Sequence, residues 1–155
     1  MKFADGFWLN QRGYEVSYAS QAYEVTPVKN GLNVLAACQY IQNRGMTLGG
    51  PVLDMTFTST QKDVIKVTVD HYKGGLNNAP KFELEEDQGY TPEIKETEND
   101  WQIISGNTKV VIGKWSWSVQ YYYKDKKLTG GAWRATTIVN ESQFKKNSRL
   151  DAVQD

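Results

Sequence analysis

The single histidine, His71, is the residue whose type most directly suggests catalysis or ligand binding. It follows a strand-like run at 64–69 and begins a segment, 71–80, with two glycines, two asparagines and a proline. Gly and Asn tolerate positive φ and Pro cannot donate within a ladder, so a strand ending in a shaped loop is predicted. General acid–base catalysis needs a positioned partner for the imidazole. We favour a hydrogen-bonded structural role for His71, with a ligand or domain contact through His71, Asn77 and Asn78 as the alternative.

The counts of ligating side chains argue against metal or cofactor chemistry. A structural zinc site needs about four Cys or His ligands and a catalytic one about three, whereas the chain has one Cys and one His. Phosphate-binding fingerprints do not occur, and the double glycines at 49–50 and 74–75 are typical of turns. Acidic residues at 83–87 and 93–100 predict a solvated connection and strand edge, and they suggest no catalytic pair. We therefore expect no metal, no cofactor and no catalytic residue.

Aromatic residues are the remaining candidates for binding: five Trp, nine Tyr and five Phe. An exposed ring binds the apolar C–H face of a sugar, yet aromatic residues at period two also form sandwich cores. For the face with Trp115 and Trp117 we favour the core. Trp133 and Arg134 follow a predicted turn at 130–131 and are expected to be exposed. They would face a ligand, a second domain or a neighbouring subunit, with the second domain favoured.

Composition limits the remaining function classes. The chain has 155 residues, enough for one domain, and its 18 basic and 18 acidic residues cancel. A zero net charge offers no attraction for nucleic acid or an anionic membrane, so neither is an expected partner. Cys38 has no second cysteine to pair with, and no apolar run resembles a secretory signal. A cytoplasmic location is expected.

Alternating apolar residues predict an all-β fold. Leu53, Met55 and Phe57 alternate with polar residues, and the run at 64–69 does the same. Asn30 and its neighbours predict one hairpin turn, and 105–107 predicts another. Short strands with turn signals about every ten residues are typical of an antiparallel sandwich. Further strands are predicted from Trp115 to residue 123 and over 132–139.

Several segments resemble glycoside hydrolase family 31, and the resemblance is nearest to the bacterial α-xylosidases. The segments are MKFADGFWL at 1–9, LGGP at 48–51, HYKGGLNNAP at 71–80, ISGN at 104–107 and LTG at 128–130. The first and third are the specific ones. The resemblance implies a β-sandwich of the galactose mutarotase type, placed ahead of a (β/α)₈ catalytic barrel. Mutarotases use two histidines, so epimerase activity is not expected here.

The resemblance also implies what this chain lacks. A barrel needs about 250 residues, so the family's two catalytic aspartates would lie beyond Asp155. We expect a non-catalytic N-terminal accessory domain at 1–140 and a polar tail or linker at 141–155. The whole enzyme would hydrolyse α-linked xylosides or glucosides with retention, and the sandwich would brace the barrel and shape the substrate entrance. Its partners would be that barrel and the oligosaccharide substrate. The alternatives are a free-standing carbohydrate-binding module and an oligomerisation module, in which an exposed sheet edge pairs with a second copy.

Overall fold

Within the part of the chain that the structure describes, the regular structure consists of strands and one short 3₁₀ helix. The computed structural model describes residues 4–5, 9–70, 87 and 89–141. The helix spans Arg44–Leu48. The strands are β1 Ala4–Asp5, β2 Leu9–Asn10, β3 Tyr14–Tyr18, β4 Gln21–Val28, β5 Gly31–Ala37, β6 Val52–Gln61, β7 Val64–Asp70, β8 Glu93–Glu96, β9 Asp100–Ser105, β10 Thr108–Gly113, β11 Val119–Tyr123, β12 Lys126–Gly131 and β13 Thr137–Glu141.

Two antiparallel sheets dominate the architecture. One has four strands in the order β4-β5-β6-β7, and the other has five in the order β12-β11-β10-β9-β8. Two smaller pairs, β1-β2 and β13-β3, complete the described part of the chain. In both large sheets, adjacent strands are antiparallel and are consecutive in the sequence. Both sheets are therefore built from hairpins. The predicted all-β antiparallel sandwich is confirmed.

The predicted β4–β5 hairpin turn is present. Asn30 has a φ of 59°, a left-handed conformation that Asn adopts at low cost. Gly31 follows, and a Cβ atom there would lie 1.9 Å from the backbone oxygen of Phe57 on β6. Only glycine therefore allows β5 to approach β6 this closely.

The period-two pattern places the apolar side chains between the large sheets. In β6, the side chains of Leu53, Met55 and Phe57 are buried while their neighbours are partly exposed. Strands β9 and β10 contribute buried residues from the opposite sheet, so one continuous core forms. Burying each large apolar side chain stabilises the fold by about 1.5–3 kcal/mol. The core residues are Ala19, Ala22, Leu32, Val34, Ala36, Leu53, Met55, Phe57, Ile103, Val110, Ile112, Trp117, Val119 and Ile138.

The region around Trp115 differs from the prediction. The strand predicted to begin at Trp115 begins at Val119, because the N–H of Gly113 donates to the Ser118 oxygen over 2.9 Å and closes a loop. Trp117 is 1% exposed, in agreement with a core role, but Trp115 is 68% exposed. The core assignment of Trp115 was therefore wrong, since period-two alternation does not continue through a closed loop.

The last two strands also differ from the prediction in their bounds. Gly130 and Gly131 belong to β12 and pair with Gln120 and Val119 of β11, so they do not form the predicted turn. The final strand, β13, begins only at Thr137. The acidic segment at 93–100 contains β8, which ends the five-stranded sheet, in agreement with the predicted strand edge. In the described part of the chain no helix has the length and apolar character needed to cross a membrane.

Candidate functional site

Four connections, at 19–20, 38–51, 114–118 and 132–136, meet at one end of the molecule. They carry Tyr40, Trp115 and Trp133, three of the five exposed aromatic side chains among the described residues. Backbone hydrogen bonds tie them together: the N–H of Ala19 donates to the Thr136 oxygen over 2.9 Å, and the N–H of Trp117 donates to the Ser20 oxygen over 3.0 Å. The indole Nε1–H of Trp117 also donates to Thr136 Oγ1 over 3.2 Å. The buried indole of Trp117 therefore anchors connections that come from both sides of the sandwich.

The first of two depressions, the Trp133 cleft, lies above this anchor. It has a volume of about 260 Å³ and is lined by Ala19, Ser20, Tyr40, Ser116, Trp117 and Trp133. The side chains of Trp133 and Tyr40 are 59% and 50% exposed. A depression with exposed rings and small hydroxyl side chains suits contact with another molecule or domain.

The indole of Trp133 is held in place by Arg134. The guanidinium carbon of Arg134 lies 4.5 Å from the centre of the Trp133 ring and 5.1 Å from that of Tyr18. Arg134 has a φ of 73°, a left-handed backbone conformation that is uncommon for a residue other than glycine. A cation on two aromatic faces is a stabilising arrangement, so the Trp133 ring presents a defined surface.

The second depression, the Trp115 cleft, lies beside the first. It has a volume of about 240 Å³ and is lined by Gln21, Ala22, Tyr23, Val25, Glu96, Trp101, Lys114 and Trp115. Trp115 is its most exposed ring, and Tyr23 is 47% exposed. Sequence reasoning missed this cleft, because its lining comes from three distant parts of the chain and Trp115 was assigned to the core.

Fixed polar groups border the Trp115 cleft. The ammonium of Lys114 lies 2.7 Å from Glu96 Oε1 and 2.5 Å from the Thr97 oxygen. It also lies 5.3 Å from the centre of the Trp101 ring. These contacts orient Lys114 and Glu96 and cancel their charges within the cleft.

The five residues predicted as site candidates fall into two groups. Trp133 lines the Trp133 cleft and is exposed as expected, and Arg134 is partly buried and stacks on the Trp133 ring. His71, Asn77 and Asn78 lie outside the described residues. A role of these five in ligand or domain contacts stays a prediction.

Among the described residues, the titratable groups with shifted pKa values do not line either cleft. Burial raises the pKa of the Cys38 thiol and of the Tyr121 hydroxyl. A hydrogen bond from Lys109 lowers the pKa of the Asp125 carboxyl. Among residues 4–5, 9–70, 87 and 89–141, no three His, Cys, Asp or Glu side chains are grouped to hold a metal ion. The chemistry that the clefts offer is stacking and hydrogen bonding.

Comparison with known proteins identifies relatives among the α-xylosidases. An α-xylosidase of Emericella nidulans is 27% identical over 161 residues, which cover 99% of this chain and 20% of that protein. The α-xylosidase XylQ of Lactiplantibacillus pentosus is 30% identical over 116 residues, which cover 72% of this chain and 14% of that protein. No family model matches. The chain spans a fifth or less of the length of these curated relatives. It is related to the glycoside hydrolases of family 31, and the matched portion is consistent with an N-terminal domain of such an enzyme.

Proposed function

We propose that this chain is a non-catalytic accessory domain of an α-xylosidase-like enzyme. The observation that carries the proposal is the match of 99% of the chain to only 20% of an enzyme named α-xylosidase. A catalytic (β/α)₈ barrel of about 250 residues does not fit within 155. The all-β architecture and the clefts without catalytic groups support a binding or bracing role.

In the proposed enzyme the sandwich braces a catalytic barrel of the same polypeptide. That barrel hydrolyses α-linked xylosides or glucosides with retention, and the sandwich helps to shape the substrate entrance. The Trp133 cleft supports the barrel contact, because Trp133 and Tyr40 expose large apolar surface that a domain interface would cover. A cytoplasmic location fits the unpaired Cys38, since disulfides are rare in reducing compartments.

The size of the protein in its own cells tests the accessory role. An antibody raised against the 155-residue chain would be used on a denaturing blot of a source-cell extract. The accessory role predicts a band several times larger than 17.6 kDa, and an immunoprecipitate of that band should release xylose or glucose from an α-linked disaccharide. A full-intensity band at 17.6 kDa would contradict the proposal and favour a free-standing module.

Self-association through a sheet edge is the second candidate. Strands β8 and β12 end the five-stranded sheet, but both carry features that oppose pairing. β8 is four residues long with two glutamates and a lysine, and β12 has a register irregularity opposite Tyr121 and Tyr122. Short charged strands and bulges both reduce edge-to-edge pairing. Edge association would therefore use one of the two edges of the four-stranded sheet. These are β4, where Tyr23 and Val28 are exposed, and β7, where Val64 and Val69 are exposed.

A further inference from the structure

We propose that the Trp115 cleft binds a neutral sugar unit of an oligosaccharide, with the Trp115 indole as the stacking platform. A loop that is closed by a backbone hydrogen bond from Gly113 to Ser118 presents this indole. The ring is 68% exposed although it adjoins the buried Trp117. Exposing an indole costs hydrophobic stabilisation, so a ligand or partner that covers it accounts for its position.

The mixture of groups around the Trp115 cleft matches the two kinds of surface on a sugar ring. A pyranose has an apolar C–H face, which packs on an aromatic ring, and a rim of hydroxyl groups, which need donors and acceptors. Trp115 and Tyr23 supply apolar faces, and Glu96 and Lys114 supply polar groups at the border of the same cleft. A purely apolar protein partner would cover the half-exposed Glu96 carboxylate without donating any hydrogen bond to it.

The orientation of the polar groups supports a preorganised site. Gln21 Oε1 accepts a hydrogen bond from the N–H of Ile41 over 3.0 Å, which directs its amide nitrogen. Lys114 is fixed between Glu96 and the Thr97 oxygen. Groups that are already oriented lose little freedom when they bind a ligand, so weak contacts contribute more to affinity.

The balanced charges of Lys114 and Glu96 in the Trp115 cleft favour a neutral ligand. Lys114 and Glu96 form an ion pair of 2.7 Å, with the Glu96 side chain 54% exposed. Because the two charges cancel, the cleft offers no net attraction for an anion or a cation. Sugar hydroxyl groups can bond to both members of the pair while it stays intact.

The volume of the cleft sets the expected affinity. About 240 Å³ lies below the roughly 300–1,000 Å³ of pockets that hold drug-sized ligands. One ring of a short oligosaccharide therefore fits, with a dissociation constant on the order of millimolar. Such a site would hold a longer oligosaccharide only together with other weak contacts along the same oligosaccharide.

The test is heteronuclear NMR of the ¹⁵N-labelled 155-residue chain, titrated with xylose, isoprimeverose and maltose up to tens of millimolar. We expect saturable shifts of the Trp115 indole N–H and the Gln21 side-chain amide for at least one sugar. Trp115→Ala should weaken binding at least tenfold, and Trp115→Phe should retain part of it. Tyr123→Ala is the matched control, because Tyr123 is an exposed ring at the far end of β11.

Three outcomes would overturn the site. They are a folded spectrum that no sugar changes, shifts centred on Trp133 with none at Trp115, and unchanged affinity in Trp115→Ala. A folded backbone spectrum of each variant excludes unfolding as the cause of lost binding. The titration and the blot are independent, since the cleft binds sugar whether or not the chain is part of a larger enzyme.

Discussion

The hydroxyl oxygens of Ser59 on β6 and Ser105 on β9 lie 2.8 Å apart, in a contact that joins the two facing sheets. Both residues are buried. Further hydrogen bonds satisfy both hydroxyl groups. Ser59 Oγ lies 2.6 Å from the Val64 oxygen, and Ser105 Oγ lies 3.1 Å from the Gln61 oxygen and 3.1 Å from the Tyr90 hydroxyl. A satisfied polar cluster inside an apolar core favours one alignment of the sheets over others.

Removal of one hydroxyl from this cluster should destabilise the protein. We expect Ser105→Ala to lower the free energy of unfolding by about 1–3 kcal/mol, because it leaves buried partners without a hydrogen bond. Urea denaturation followed by tryptophan fluorescence measures the change. Ser116→Ala, at an exposed serine, is the control and should change stability by less than about 0.5 kcal/mol. Equal losses in the two variants would show that the buried cluster has no special role.

The turn at Gly106 should not tolerate a side chain. Gly106 has a φ of 57°, and a Cβ atom there would lie 2.4 Å from Asp63 Oδ1, which accepts a hydrogen bond from the Asn107 N–H. We expect Gly106→Ala to cost about 2–4 kcal/mol, from the left-handed conformation and the displaced carboxylate. Thermal denaturation measures the loss.

Gly49 provides the matched control for that substitution. It has a φ of −142°, and a Cβ atom there would contact nothing within 4 Å. Gly49→Ala should leave the melting temperature nearly unchanged. A Gly106→Ala protein as stable as Gly49→Ala would refute the close approach of Asp63 to the β9–β10 turn.

The Asp125 carboxyl should titrate below its ordinary range. Lys109 Nζ lies 2.9 Å from Asp125 Oδ1, and this hydrogen bond, together with the charge of Lys109, lowers the pKa of Asp125. The folded-state pKa is below the unfolded one, so the stabilisation is present at neutral pH and is lost as pH falls through the folded-state pKa. Carboxyl-detected NMR should show the pKa of Asp125 rising in Lys109→Met. An unchanged pKa would mean that the pair does not persist in solution.

The Cys38 thiol should react slowly. Burial raises its pKa, so less reactive thiolate is present at a given pH. Cys38 also packs against the core. We expect alkylation by iodoacetamide at pH 8 to be slower than that of a free cysteine and to reach the free rate in 8 M urea. Since this is the chain's only cysteine, mass spectrometry follows the reaction without ambiguity. A native rate equal to the unfolded rate would contradict the burial.

Self-association through β4 or β7 can be tested by sedimentation velocity over a wide concentration range. The sheet-edge candidate predicts a shift from monomer to dimer as concentration rises. Val28→Lys on β4 and Val69→Lys on β7 each place a charge at an exposed edge position, and the variant at the edge that pairs should move the equilibrium toward monomer. A single monomer peak at low and high concentration would exclude this candidate.

Local patterns in the sequence were sufficient for most of the fold. The alternation at 53–57 and 64–69 predicted β6 and β7, and Asn30 predicted the β4–β5 turn, because period and turn chemistry depend only on neighbouring residues. The exposure of Trp133 was also predicted, although the turn at 130–131 on which that prediction rested is part of β12. The relationship to family 31 likewise required only the sequence.

The tertiary structure alone decided which tryptophan is buried and where the clefts form. Trp115 and Trp117 are both tryptophans, and period-two alternation would place them on the same face of a strand. Trp115 is exposed and Trp117 is in the core, because the loop closed by Gly113 and Ser118 turns between them. The lining of the Trp115 cleft joins residues 21–25, 96–101 and 114–115, which are distant in sequence. Contacts of that kind depend on how two sheets pack, and short-range periodicity carries no information about them.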